Sequence, residues 1–166
     1  MKIYLIGMPG SGKTTLGKEV AAQLGLEFLE LDKEIERKAA LTIPEIFSQK
    51  GEGFFRELES DLLKKLTESR PGFVMATGGG APCFFDNLDF MNQEGTTIYL
   101  HVSFDELARR LNRNPEQRPL LEKLDPEKFK EDLEDRFGYR IPIYQQARLE
   151  LRGDRLTAND IIKRIS

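Results

Sequence analysis

Short runs of apolar, β-prone residues recur along the chain at Lys2–Gly7, Phe28–Asp32, Phe73–Ala76, Thr97–Val102 and Leu149–Leu151. Between them the apolar positions fall three and four apart. This spacing predicts helices over Lys13–Leu24, Asp32–Lys38, Pro44–Gln49, Phe54–Ser69, Asn87–Asn92, Asp105–Asn112, Glu127–Phe137 and Ala158–Ile165. Strands that alternate with helices form βαβ units, and strands apolar on both faces belong in a parallel sheet covered by helices. Thr42 or Ile43 ahead of Pro44 marks one helix start; Thr157 with Asp160 three residues on resembles a capping box with Asp in place of Glu. Three loops stand out, at Met8–Gly12, Thr77–Pro82 and Arg113 to about Pro126. The first two follow strands, which puts them at the carboxyl edge of the sheet, where open α/β folds bind ligands. The third is rich in charge and proline and long enough to form a lid.

A chain of 166 residues suits one compact domain. Its 28 acidic and 25 basic residues give a net charge of -3, which offers no general attraction to nucleic acid or anionic lipid. Neither is an expected partner. Cys83 is the only cysteine, so it has no internal disulfide partner and reads as a small inert hydrophobe. Pro9, Gly10 and Lys13 break the first apolar run before it reaches signal-peptide length, and no run is long enough to cross a bilayer. A cytoplasmic monomer is the expectation.

Gly7-Met8-Pro9-Gly10-Ser11-Gly12-Lys13-Thr14 fits the phosphate-binding pattern G-x-x-x-x-G-K-[ST] and lies between a predicted strand and a predicted helix, the context the motif requires. Glycines let the loop curl so that backbone N–H groups face phosphate oxygens, and the following helix adds its N-terminal partial charge. Lys13 would then bridge the β- and γ-phosphates of a nucleotide, and the Thr14 hydroxyl would take one position on Mg²⁺. The guanine-reading N-K-x-D is missing. Asp135-Arg136-Phe137-Gly138 spells D-x-x-G, but inside a predicted helix.

Other residues point from nucleotide binding towards phosphoryl transfer. If the second strand persists through Asp32 and Glu34, both carboxylates leave it on one face beside the loop. Asp32 could then hold a water on Mg²⁺ while Glu34 orients an acceptor hydroxyl, although the pair also fits a solvated helix start with Asp32 as its cap. Arg56 and Glu59 lie i,i+3 on one helix, either as a surface pair or as a fork for a substrate carboxylate steadied by the acid. Thr77-Gly78-Gly79-Gly80 offers bare backbone to a ligand. His101, the only histidine, reads as a structural imidazole in its strand, and Phe84, Phe85 and Phe90 as helix or core contacts.

Taken in order, GMPGSGKT, LDKE, FFRELE, TGGG, QRPLL and RIPIY resemble the shikimate kinase family from the first strand to about Arg152. The resemblance implies a three-layer αβα P-loop fold with a five-stranded parallel sheet in the order 2-3-1-4-5. Substrate-binding helices would span about 33–69 and a lid about 113–126. It implies transfer of the ATP γ-phosphate to the 3-hydroxyl of shikimate, with Mg²⁺ as cofactor. By position, Gly10, Ser11, Gly12, Lys13, Thr14 and Thr15 would bind ATP phosphates, with Asp32 near the metal through water. Glu34, Arg56, Gly79, Gly80 and Arg140 would meet shikimate, the two arginines facing its carboxylate. Arg118 would reach the transferred phosphoryl group from the lid, and Arg110 would lie near adenine. One departure stands out: the family's D-[ST]-D is met by Asp32-Lys33-Glu34, which makes Glu34 the orienting acid. The competing readings are a kinase of another hydroxy acid such as gluconate, or an ATP-binding regulator without catalysis.

Overall fold

The computed structural model describes residues 1–113 and 126–166. Its centre is a five-stranded parallel sheet of β1 (Lys2–Ile6), β2 (Phe28–Glu30), β3 (Phe73–Ala76), β4 (Thr96–His101) and β5 (Leu149–Arg152) in the order β2-β3-β1-β4-β5. Every pairing is parallel, with Leu5 level with Ala76 on one side and Ile98 on the other. Successive side chains of a strand face opposite ways, and β1 shows what this does. Ile3 and Leu5 enter one core with Leu16 and Val20 of α1 (Lys13–Leu24) and Ile161 of α9 (Ala158–Ile165). Tyr4 and Ile6 enter the other core, under α2 (Leu31–Ala39), α3 (Ile43–Lys50), α4 (Glu52–Glu68) and α5 (Asn87–Glu94). Uniformly apolar strands thus follow from burial on both faces.

Beyond β4, α6 (Phe104–Arg113) packs on α7 (Pro126–Phe137) through Leu111, Phe129 and Leu133. A 3-10 turn at Gly138–Arg140 then leads into the short α8 (Ile141–Tyr144). Both expected helix starts are present. The Thr42 hydroxyl accepts from Glu45 N at 3.3 Å; Thr157 and Asp160 form the reciprocal box, with bonds of 3.3 and 2.8 Å. The segment Ile141–Tyr144 spans barely one turn, too short to show periodicity, so it was not expected as a helix. No helix among the described residues is long and apolar enough to cross a membrane. Residues 114–125 of the expected lid, Arg118 among them, lie outside the described residues.

One difference changes the site. The second strand ends at Glu30 rather than Asp32, because β2 is an edge strand whose one neighbour among the described residues, β3, ends at Ala76, level with Glu30. With no further partner for its backbone, the chain turns directly into α2 at Leu31.

Candidate active site

The glycine-rich loop leaves β1 and enters α1, as its spacing requires. Gly10 and Gly12 adopt φ of 82° and 97°, a left-handed region that strains residues bearing a Cβ. Lys13 is buried, and its ammonium donates to the Gly7 and Met8 carbonyls at 2.8 Å each. Burial lowers its pKa to about 8; the Asp32 carboxylate opposes the shift and the Arg140 guanidinium adds to it. Such a lysine is short of negative charge, the condition under which a phosphate is welcome. Thr14 and Thr15 follow in the first turn of α1. From α6, Arg110 donates to Gly10 O at 3.1 Å and Asp154 O at 2.7 Å, joining the phosphate loop to the turn after β5.

Opposite the loop, α4 presents Arg56 and Glu59, and both are buried. This excludes the surface-pair reading. Arg56 Nη1 donates to Glu59 Oε1 at 3.0 Å and Nε to Glu52 Oε1 at 3.4 Å, with the guanidinium lying on the Phe84 ring at 4.1 Å. The second Glu59 oxygen is buried without a hydrogen-bond partner among the described residues. Burial pushes the Glu59 carboxyl up to about 7 against the pull of Arg56.

The turn after β3 shows why three glycines follow Thr77. A Cβ on Gly78 would stand 2.8 Å from Asp32 Oδ1, and one on Gly79 would stand 3.0 Å from Arg140 Nη1. At Gly80 it would fall 2.6 Å from both terminal nitrogens of Arg56. Three charged side chains therefore lie directly on this backbone. Arg140, buried in its 3-10 turn, rests on the Phe137 ring at 4.4 Å, and Tyr144 Oη donates to Gly79 O at 2.5 Å. Arg56 Nη2 donates to no group among the described residues, and Arg140 has the hydroxyls of Tyr139 and Tyr144 beside it rather than a carboxylate. Lys13, Arg56 and Arg140 thus share their surroundings with the enclosed carboxylates Asp32 and Glu59, both of which burial makes harder to ionise. An enclosed group with this balance favours an incoming anion.

The early end of β2 separates the two acids expected to act together. Residues i and i+2 share a face of a strand but diverge by about 200° around a helix. Asp32 faces inward, where burial raises its carboxyl and the Lys13 ammonium opposes the shift. Glu34 instead binds Arg37 at 2.6 Å, so the structure does not bring it to the site. Glu30-Leu31-Asp32 supplies the same acid-x-acid spacing two residues earlier, with Glu30 close enough to act on Asp32.

His101 binds Glu150 through Nδ1 at 2.7 Å and stacks on Tyr99, as a structural imidazole should. Burial raises the Cys83 thiol, away from nucleophilic character. Phe90 packs on the core, whereas Phe85, also expected to pack, is 66% exposed with φ 51°. Phe84 and Asn87 belong to no motif, Tyr144 enters only as the last residue of RIPIY, and the sequence reading missed all three as parts of the site. A polar Asn or an aromatic hydroxyl facing a core was the available signal, but facing becomes visible only with the helices placed.

A family model described as shikimate kinase matches residues 9–166. The shikimate kinase of Parabacteroides distasonis is 40% identical over 161 residues, covering 96% of this chain and 92% of that protein. The crystal structure of shikimate kinase from Bacteroides thetaiotaomicron superposes with a TM-score of 0.90 at 38% identity, covering 99% of this chain and 96% of the other. That of Acinetobacter baumannii shikimate kinase in complex with shikimate gives 0.84 at 39% identity, covering 99% and 89%. The chain therefore matches shikimate kinases over nearly its whole length in both sequence and fold, and it belongs to the shikimate kinase family.

Proposed function

We infer that this protein transfers the γ-phosphoryl group of ATP to the 3-hydroxyl of shikimate. The observation that carries the reading is the convergence of Arg56, with Nη2 open among the described residues, and of Arg140 on the Gly79–Gly80 backbone beside Lys13. Two planar forks at one place suit a carboxylate, and the phosphate loop alongside supplies the donor.

The chemistry asks the protein for position and charge rather than a covalent nucleophile. Backbone N–H groups of Gly10, Ser11 and Gly12, with Lys13, Thr14 and Thr15, hold the ATP phosphates. On binding, Lys13 exchanges its two carbonyl partners for phosphate oxygens and neutralises charge that grows on the leaving side. Arg56 and Arg140 grip the acceptor carboxylate, while Gly79 and Gly80 admit its ring close to the backbone. Asp32, rather than Glu34, faces the acceptor and orients the hydroxyl for in-line attack. Arg110 ties the phosphate loop to the nucleoside side.

Mg²⁺ fits the donor set: the Thr14 hydroxyl at the start of α1 as a ligand, with Asp32 and Glu30 as carboxylates for its waters. When bound, it would neutralise charge between the β- and γ-phosphates. The protein acts as a cytoplasmic monomer on two small molecules.

Coupled ADP release in the presence of shikimate, gluconate or no acceptor tests the reading. Turnover that depends on shikimate is expected. Turnover with gluconate alone, or ADP release indifferent to acceptor, would refute it.

A further inference from the structure

The Arg56 guanidinium is held by more than its carboxylate partner. Its central carbon lies 4.1 Å from the centre of the Phe84 ring and 5.0 Å from that of Phe55. Glu59 and Glu52 occupy Nη1 and Nε, which leaves Nη2 free of partners among the described residues. An aromatic face attracts a cation through its quadrupole without accepting any of its N–H donors in the guanidinium plane. A third carboxylate at this place would hold the group equally well, but it would use up donors and cancel the charge that an acceptor needs.

The ring reaches Arg56 because of how the chain turns after Gly80. Cys83 N bonds Gly80 O at 2.9 Å, closing a 3-10 turn over Ala81–Cys83 that returns Phe84 to the guanidinium lying against Gly80. Asn87 fastens this turn to α4: its amide donates to Ala81 O at 2.9 Å and its carbonyl accepts from Ser60 Oγ at 2.7 Å. Ser60 and Asn87 are both buried, and Ser60 lies one helical turn beyond Arg56. The next residue, Phe85, points to solvent with a positive φ that is unfavourable for a bulky side chain. Strain kept beside a site is a reason to look for what it positions.

We propose that Phe84 is a positioning residue for acceptor binding: its ring face and the Ser60–Asn87–Ala81 tie fix the plane of Arg56 with Nη2 open to the acceptor carboxylate. The proposal rests on the shikimate reading above. Phe84→Leu keeps apolar bulk and removes the π face. Its KM for shikimate should rise roughly 5- to 30-fold, the weight of a partly buried cation–π contact, with kcat and KM for ATP unchanged. Phe84→Tyr, which restores a face, should return KM towards wild type. Should the leucine variant not fold, Phe84→Met supports the same comparison.

Arg56→Lys, measured in parallel, separates the two levels of inference. If it leaves KM for shikimate unchanged, the acceptor assignment itself fails. If it raises that KM while Phe84→Leu does not, the positioning role fails alone. Equal losses in the leucine and tyrosine variants, or a fall in kcat and ATP affinity alongside a lower melting temperature, would reduce Phe84 to ordinary packing and overturn the proposal.

Discussion

Gly80→Ala isolates the contact between the glycine turn and Arg56. Gly80 has φ -86° and ψ -16°, an ordinary right-handed conformation open to alanine, so the substitution introduces no backbone strain. What it introduces is a methyl group 2.6 Å from both Arg56 terminal nitrogens and 2.8 Å from the carbon between them. Ordinary contact begins near 3.4 Å, so the guanidinium must retreat by about 0.8 Å. Its retreat is opposed by Phe84 on one face and by the Glu59 bond at 3.0 Å. A displacement of about 1 Å in a positioning group costs up to ~10²-fold. The kcat/KM for shikimate should therefore fall roughly 10- to 100-fold, with KM for ATP unchanged. Steady-state ADP release with each substrate varied in turn measures both, and a melting curve checks that folding is intact. Wild-type kcat/KM for shikimate in the folded variant would refute the close approach. An equal loss for ATP would refute its assignment to the acceptor side.

Three further outcomes follow from the same geometry. Lys13→Met removes the buried ammonium between loop and phosphate and should lower kcat by at least about 10²-fold, read by ADP release at saturating ATP; near-normal turnover would deny it that role. Asp32→Asn should lower kcat by about 10² or more while Glu34→Gln stays close to wild type, since only Asp32 faces the pocket; the reverse ranking would restore the register read from sequence. Glu59 titrates near 7 in the fold against an ordinary 4.5, so its protonated form is the one the fold favours. That contribution is full below pH 4.5 and is lost as pH rises through 7. The melting temperature of wild type should thus fall relative to Glu59→Gln between about pH 5 and 8. A difference independent of pH would show that Glu59 ionises freely in the fold.

Much of the protein was legible in one dimension because the signals are local. Gly7 to Thr14 needs only a strand before it and a helix after it, and the spacing of glycines dictates the curl. Thr42 and the Thr157–Asp160 pair announce their helices for the same reason, each cap bonding within three residues. The strand order came from the family likeness and matches the sheet observed.

Contacts between distant segments decided the rest. Whether Asp32 and Glu34 share a face depends on where β2 ends, and that is set by β3, more than forty residues away, running out of backbone at Ala76. Arg56 with Glu59 looks the same in sequence as a surface or a buried pair. Only the glycine turn and Phe84 folding over α4 enclose it. The sequence by itself determined which segments form strands, helices and a phosphate loop, since those depend on near neighbours. Tertiary structure alone determined which acid enters the pocket and which ring holds the arginine, because burial and facing are properties of the assembled layers.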